Sequence, residues 1–423
     1  MRKLLIALAL PWLLEAHSIP ELFSALKSHS QVKADSLLVK KSEVQADMLD
    51  SALYPKIDIF ASYDNYSEAT GMIPVPPNEL LNMVKDQSVA QPFSNNIYRA
   101  GAKFSMPVFV KSLYTTADKA QAMQRSAKAK KYINILKNEA IIVGANANFL
   151  YLVALQKALD GKEKSLLETQ KTLQIKVDNG RSPESALYKI NDSLNEVAIS
   201  KNSIDLQENK LISTIESLTS VRLEKPVSME RIGSFEKGEL ASLKPLQEKI
   251  AADRAAIKAQ KERLYPALYA HGSYTFSQAK AYNNNKDIDE KYGNIGLVLN
   301  IPLLEMNQYD AITLANVTLQ SSEVELEKLA DELNSQAKML ESSLSLLENS
   351  LKLYKHSLEN KKKLLAIAKV NFKSGRLATE EYLRYEDAVV AQEANLYKTE
   401  ATKWQSEMQL AVIYGNNIEE IVR

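Results

Sequence analysis

Few residues in this chain are spaced for bond-making chemistry. The four histidines, His17, His29, His271 and His356, are scattered, and none has a metal-ligand partner at helical spacing. The acid pairs Asp331-Glu332 and Glu380-Glu381 lie in charged helical runs, where solvated carboxylates are the ordinary outcome. No glycine loop of the phosphate-cradling kind occurs. Cysteine is absent, which excludes disulfides, thiolate metal sites, a cysteine nucleophile and a lipidated amino-terminal cysteine. The residues therefore predict no catalytic, cofactor-binding or metal site, and any energy has to come from partner proteins. What remains is charge gathered beside two Gly-Arg turns, Gly180-Arg181 with Lys189 and Gly375-Arg376 with Glu381 and Arg384, and polar residues set in alternating segments, Arg99, Lys103, Asn294 and Asn300.

The composition is that of a folded protein: 423 residues, 45% hydrophobic and 25% charged. Lys and Arg total 53 against 52 Asp and Glu, so no basic excess points to nucleic acid. The start, MRKLLIALALPWLLEAHS, has two positive charges, an apolar run from Leu4 to Leu14 and a small-x-small ending at Ala16-His17-Ser18. This predicts a signal peptide over residues 1–18. That run is too short to cross a bilayer as a helix, and no later stretch is expected to reach the roughly 18 apolar residues required.

The remainder is written twice. LYPKIDIFASYDNYS starts at Leu53 and LYPALYAHGSYTFS at Leu264, each after a charged helical run. Proline stops a helix and pushes the preceding residue toward extended geometry, so both copies predict a helix giving way to a strand. A second pair of landmarks, FSMPVF at Pro107 and LNIPLL at Pro302, marks strands ending at proline. A third pair, VDNGRSPES at Gly180 and FKSGRLATEE at Gly375, marks the end of one long helical pattern and the start of another. Pro107 to Gly180 and Pro302 to Gly375 are both 73 residues, a fixed piece of architecture, whereas the segment between the strands is 16 residues longer in the first copy. Loops tolerate such insertions.

Between Pro302 and Gly375, Leu326, Leu333, Leu340, Leu347 and Tyr354 recur every seven residues, beside Ala330, Ala337, Leu344, Leu351, Leu358, Leu365 and Phe372. In the first copy Ile135, Ile142 and Phe149 run beside Leu136, Val143 and Leu150. Such seams require partner helices. The glycines are placed as helix C-caps, so each long helix is expected to fold back, from about Pro183 to Leu223 and from about Glu380 to Val422. Helices over Pro20–Leu53 and Glu239–Leu264 are expected to cover the excess length.

Four strands of about ten residues complete the pattern. In NIYRAGAKFSMP, Tyr98, Ala100, Ala102, Phe104 and Met106 oppose Arg99, Gly101, Lys103 and Ser105; in YGNIGLVLNIP, Ile295, Leu297, Leu299 and Ile301 oppose Asn294, Gly296, Val298 and Asn300. Alternation alone fits a half-buried soluble sheet or a transmembrane barrel with a wet lumen; tyrosines at the strand ends, Tyr54, Tyr63, Tyr98, Tyr265, Tyr274 and Tyr292, favour the barrel. Phe60 breaks the alternation of the first strand.

The ordered duplicate of leading helix, strand pair and helical hairpin with a glycine tip resembles the TolC family of bacterial outer-membrane efflux channels over the whole mature chain. The resemblance implies a mainly α fold with a small transmembrane β part: a homotrimer with a 12-stranded β-barrel on a periplasmic α-helical barrel. It implies repeats over 19–225 and 241–423, an equatorial linker over 226–240, and loops outside the cell over about Asp64–Asn96 and Ser277–Lys291. The implied function is an exit duct of a tripartite efflux or type I secretion system in the outer membrane, in contact with its lipid, a periplasmic adaptor and an inner-membrane pump. In the family the hairpin tips constrict the tunnel and dock the adaptor. Glu381 matches a family acid at the tip, Arg384 stands where the family commonly has aspartate, and Lys189 occupies the corresponding place after Gly180. Phe372 matches a frequent aromatic near the constriction, with plain packing and gating both open. An exported coiled-coil scaffold would explain the heptads without the amphipathic strands, and a periplasmic adaptor would be expected to carry one hairpin per chain.

Overall fold

The computed structural model describes residues 17–423. The predicted signal peptide lies outside the described residues except for His17 and Ser18. Two compact units are present, one comprising the chain up to Leu38, Lys128–Pro245 and Leu326–Arg423, the other Val39–Ala127 and Leu246–Glu325.

The duplication is exact in helix length. Helix α4 (Lys111–Asp178) and helix α7 (Met306–Lys373) both have 68 residues, and the returning helices α5 (Glu184–Thr219) and α8 (Thr379–Tyr414) both have 36. At 1.5 Å per residue the long pair each reach about 100 Å. Leading helices α1 (Ile19–Ser28) and α2 (Ser30–Ser51) replace the single helix expected over Pro20–Leu53. The break is at His29, whose ψ of 156° is extended. Ser18 and Glu21 form a reciprocal capping box that starts α1. Before the second strand pair, a short 3-10 turn (Ala241–Leu243) precedes helix α6 (Lys244–Glu262).

In the first unit the heptad pattern becomes packing. Leu152, Leu159, Leu166 and Leu173 of α4 meet Ile190, Val197 and Ile204 of α5, all buried and seven apart. Each such side chain contributes about 1.5 to 3 kcal/mol of burial. A second core gathers Phe23 of α1, Ile142 and Phe149 of α4, Ile215 of α5 and Met408 of α8. The segment over 226–240 joins this unit through a bridge between Arg231 and Val422 and paired backbone bonds between Glu230 and Arg423. One sequence expectation needs correction here. Helix α4 does contain an 18-residue window with mean hydropathy 1.3, long and apolar enough to cross a membrane by composition. Half of that window is buried, and Ile142, Val143 and Phe149 within the helix belong to the core, so a packed helix accounts for it.

The second unit holds an antiparallel sheet in the order β1-β2-β3-β4, with β1 Lys56–Gly71, β2 Phe93–Phe109, β3 Ala267–Lys280 and β4 Asp287–Asn300. The strands have 14 to 17 residues, longer than the ten expected, and the connections are correspondingly shorter, 72–92 and 281–286. The first connection carries a helix that the sequence did not suggest, α3 (Pro77–Lys85). It is fastened to the second: the Asn283 side chain donates to the carbonyls of Gln87 and Val89, and Lys286 Nζ to that of Ser88.

Candidate functional site

Two places collect the polar residues singled out in the sequence, one in each unit. The first is a face of the sheet. Directly paired residues of antiparallel strands point the same way, so the register sorts every side chain. Ile57, Ile59 and Ala61 pair with Phe104, Ala102 and Ala100; these pair in turn with Gly272, Tyr274 and Phe276; and Gly272 and Ala270 pair with Ile295 and Leu297. This face is apolar and open, with Ile59 87% and Ile295 82% exposed.

The opposite face joins Asp58 to Lys103, Lys103 to Ser273 and Ser273 to Asn294, while Ser62 pairs with Arg99 and Arg99 with Ser277. Asn300, opposite Ala267, has the same parity. All four residues picked from the sequence, Arg99, Lys103, Asn294 and Asn300, thus share one side. Arg99 donates to Asp64 at 2.7 Å and to the Tyr66 hydroxyl at 3.1 Å, and its guanidinium lies 5.8 Å from the Tyr66 ring centre. Both bonds leave one terminal nitrogen of the guanidinium, which is thereby shared between a carboxylate and a phenol. Phe60, the exception to the alternation, falls on this polar face opposite Gly101. A Cβ on Gly101 would come 3.1 Å from the Phe60 ring and 2.2 Å from the Tyr274 carbonyl oxygen. The aromatic ring therefore covers a glycine that close backbone approach demands.

The second place is the pair of hairpin tips. Gly180 and Gly375 have φ of +67° and +76°. In the first tip Gly180 N donates to the Val177 carbonyl and Arg181 N to that of Lys176; in the second Gly375 N donates to Phe372 and Arg376 N to Asn371. Both are Schellman caps, which left-handed glycine permits without strain. Neither arginine side chain is needed for the turn itself.

Beyond the caps the two hairpins touch. Lys189 of α5 reaches Glu380 of α8 at 3.0 Å, and Arg384 reaches the same carboxylate at 3.5 Å. The hydrogen bond from Lys189, its charge, and then Arg384 hold Glu380 below the usual carboxylate range. Arg384 therefore pairs with Glu380 and not with Glu381, because a spacing of four on α8 stacks the side chains more directly than three. Phe372 is buried, stacked on Tyr382 with ring centres 4.7 Å apart, and Lys176 of α4 lies 5.6 Å above its ring. Tyr382, which the sequence did not single out, is the centre of this contact. Its hydroxyl donates to Glu386 at 2.7 Å and lies 2.8 Å from Ser165 of α4, and Lys162 pairs with Asp387 nearby. Burial pushes both the Tyr382 hydroxyl and the Glu386 carboxyl up from their ordinary values. A tyrosine three residues past an acidic helix start carries no signal in one sequence, which is why it was missed.

No family model matches the chain and no curated protein matches it in sequence. Solved structures do. The Campylobacter jejuni CmeC outer membrane channel superposes with a TM-score of 0.78 over 94% of this chain and 85% of its own, at 16% identity. The outer membrane protein VceC of Vibrio cholerae gives 0.75 over 94% and 96% at 13%, and the Neisseria gonorrhoeae MtrE outer membrane channel in its open state 0.74 over 94% and 88% at 12%. The fold is therefore that of the outer-membrane channel proteins. The TolC-like architecture implied by the duplicated sequence holds at the level of fold, nearly end to end.

Proposed function

We propose that the chain is one of three copies of an outer-membrane exit duct. The observation that carries this is the sheet. It has one open apolar face, one polar face, and a free edge on each of β1 and β4 among the described residues. Unpaired backbone groups are expensive in hydrocarbon, and an open apolar face is a liability in water. Joining β4 of one copy to β1 of the next pairs the edges, lipid around the outside covers the apolar face, and three copies of four strands make a twelve-stranded ring. Outward would lie Ile57, Ile59, Ile295 and Leu297 against lipid; inward would lie Arg99, Lys103, Asn294 and Asn300 in water.

The paired helical hairpins would extend into the periplasm. Their tips, carrying Gly180, Arg181, Lys189, Phe372, Gly375, Arg376, Glu381 and Arg384, would narrow the inner end and receive a periplasmic adaptor linked to an inner-membrane pump. Substrates would pass through without chemistry, so the protein would act as a channel and not as an enzyme. A coiled-coil scaffold leaves the apolar sheet face without a purpose, and the fold match to channels along the whole chain supports the duct over the adaptor.

The test is reconstitution of the purified protein into planar bilayers. Discrete conductance steps are expected, with Lys103→Glu shifting the ion selectivity toward cations. Membrane-inserted trimers that conduct nothing, even after loosening of the tips, would overturn the proposal.

A further inference from the structure

Toward the connections 72–92 and 281–286, the sheet face that carries Ile59 and Ile295 changes character. Tyr63 pairs with Tyr98 and Tyr98 with Gln278, and further along Asn65 pairs with Asn96 and Lys280 with Asp287. All share the parity of Ile59, Ala102 and Ile295, so they continue the apolar face. Tyr63, Asn96, Tyr98, Gln278, Lys280 and Asp287 line a cavity of about 540 Å³ that lies wholly within this unit. That volume is in the range of small-molecule sites.

The cavity has an aromatic base. The Tyr63 and Tyr98 ring centres are 4.8 Å apart with the planes at 36°, and both residues are more than half exposed. Its polar groups are already oriented. The Tyr63 hydroxyl donates to Asn96 Oδ1 at 2.9 Å, and Asn65 Nδ2 donates to the same oxygen. With its carbonyl taken twice, Asn96 has its amide N–H groups to offer. Among the described residues the side chains of Gln278, Lys280 and Asp287 have no hydrogen-bond or ion-pair partner. Ring faces with amide donors and a carboxylate acceptor at their rim suit a sugar, which presents apolar C–H faces and a girdle of hydroxyls. A phosphate fits less well: on this part of the face Lys280 and Lys291 are matched by Asp287 and Asp289, so no net positive charge awaits an anion.

We propose that the cavity holds the sugar headgroup of a membrane glycolipid whose acyl chains lie on the adjoining apolar face. The inference rests on the lipid-facing sheet of the duct proposed above and adds to it a lipid class. Continuity of the two surfaces decides the occupant. Tyr63 is four residues from Ile59, and Tyr98 four from Ala102. That is about 13 Å of strand, so a single lipid reaches both the rings and the apolar side chains.

Native mass spectrometry of the trimer in mild detergent tests this, with a diglycosyl diacylglycerol titrated against phosphatidylglycerol of the same acyl chains. One glycolipid per chain is expected to bind at concentrations where phosphatidylglycerol is not yet retained. Gln278→Ala removes an exposed side chain without a partner and should raise the half-saturating glycolipid concentration about fivefold, the size of one lost hydrogen bond. Tyr98→Ala should raise it further, while Thr275→Ala on the opposite face should leave it unchanged. If Tyr98→Ala does not assemble, Gln278→Ala decides. Equal retention of the two lipids, or glycolipid binding unmoved by these variants, would overturn the site and leave the duct standing. Full competition by the free disaccharide would do the same, because the sugar alone would then be the ligand. A particle that retains neither lipid, or that is not a trimer, would instead remove the reading on which the site rests.

Discussion

Glu139 is a buried acid that the duct does not use. It is 2% exposed on α4, and its Oε2 has no hydrogen-bond partner among the described residues. Burial, reinforced by Glu419 and opposed by Lys27, pushes its carboxyl up to about 7 from 4.5. The folded form thus holds a proton that the unfolded form releases. Its effect on stability is most favourable below 4.5, declines as pH rises toward about 7, and is flat above, a span of about 3 kcal/mol. Glu139→Gln should therefore raise the melting temperature at pH 8 and leave it nearly unchanged at pH 4.5. Equal destabilisation at both values would show that the carboxylate is needed charged. Arg384 and Glu380 both belong to α8, so their pair cannot tie one hairpin to the other; Lys189 does. Lys189→Ala is expected to raise bilayer conductance more than Arg384→Ala, each changing stability little because the groups are exposed. The reverse order would place the restraint within α8.

At the level of elements, the strand faces give the sharpest contrast. Leu297→Arg puts a charge on the open apolar face and should impair membrane assembly by roughly 2 to 4 kcal/mol if it lies near mid-bilayer, while Asn300→Arg on the opposite face should assemble normally. Heat-resistant assembly of the two variants, compared on gels, checks this; equal tolerance would mean that the apolar face does not meet lipid. These faces were legible in advance because a period of two is fixed by the pleat. The hairpins were legible because Gly180 and Gly375 sit at the same distance from Pro107 and Pro302, and the caps need left-handed glycine. Helix α3 was not, since Pro-rich loop sequence masks a nine-residue helix. The break at His29 was not either, because no proline or glycine marks it. The Tyr382 contact joins residues more than two hundred positions apart, a distance over which a single sequence has no periodicity to offer.

For the whole molecule, the identical 68- and 36-residue helix pairs mean that one chain already contains two helical hairpins of equal length. Three chains would place six such hairpins around an axis, which suits a ring better than any closed monomer. Among the described residues the edges of β1 and β4 are unpaired, and they make the same demand. The most direct measurement is the mass of the protein extracted from membranes in mild detergent, taken by native mass spectrometry. The account predicts three chains in one particle, dissociating only on harsh denaturation. A folded monomer that stays soluble without detergent would contradict it.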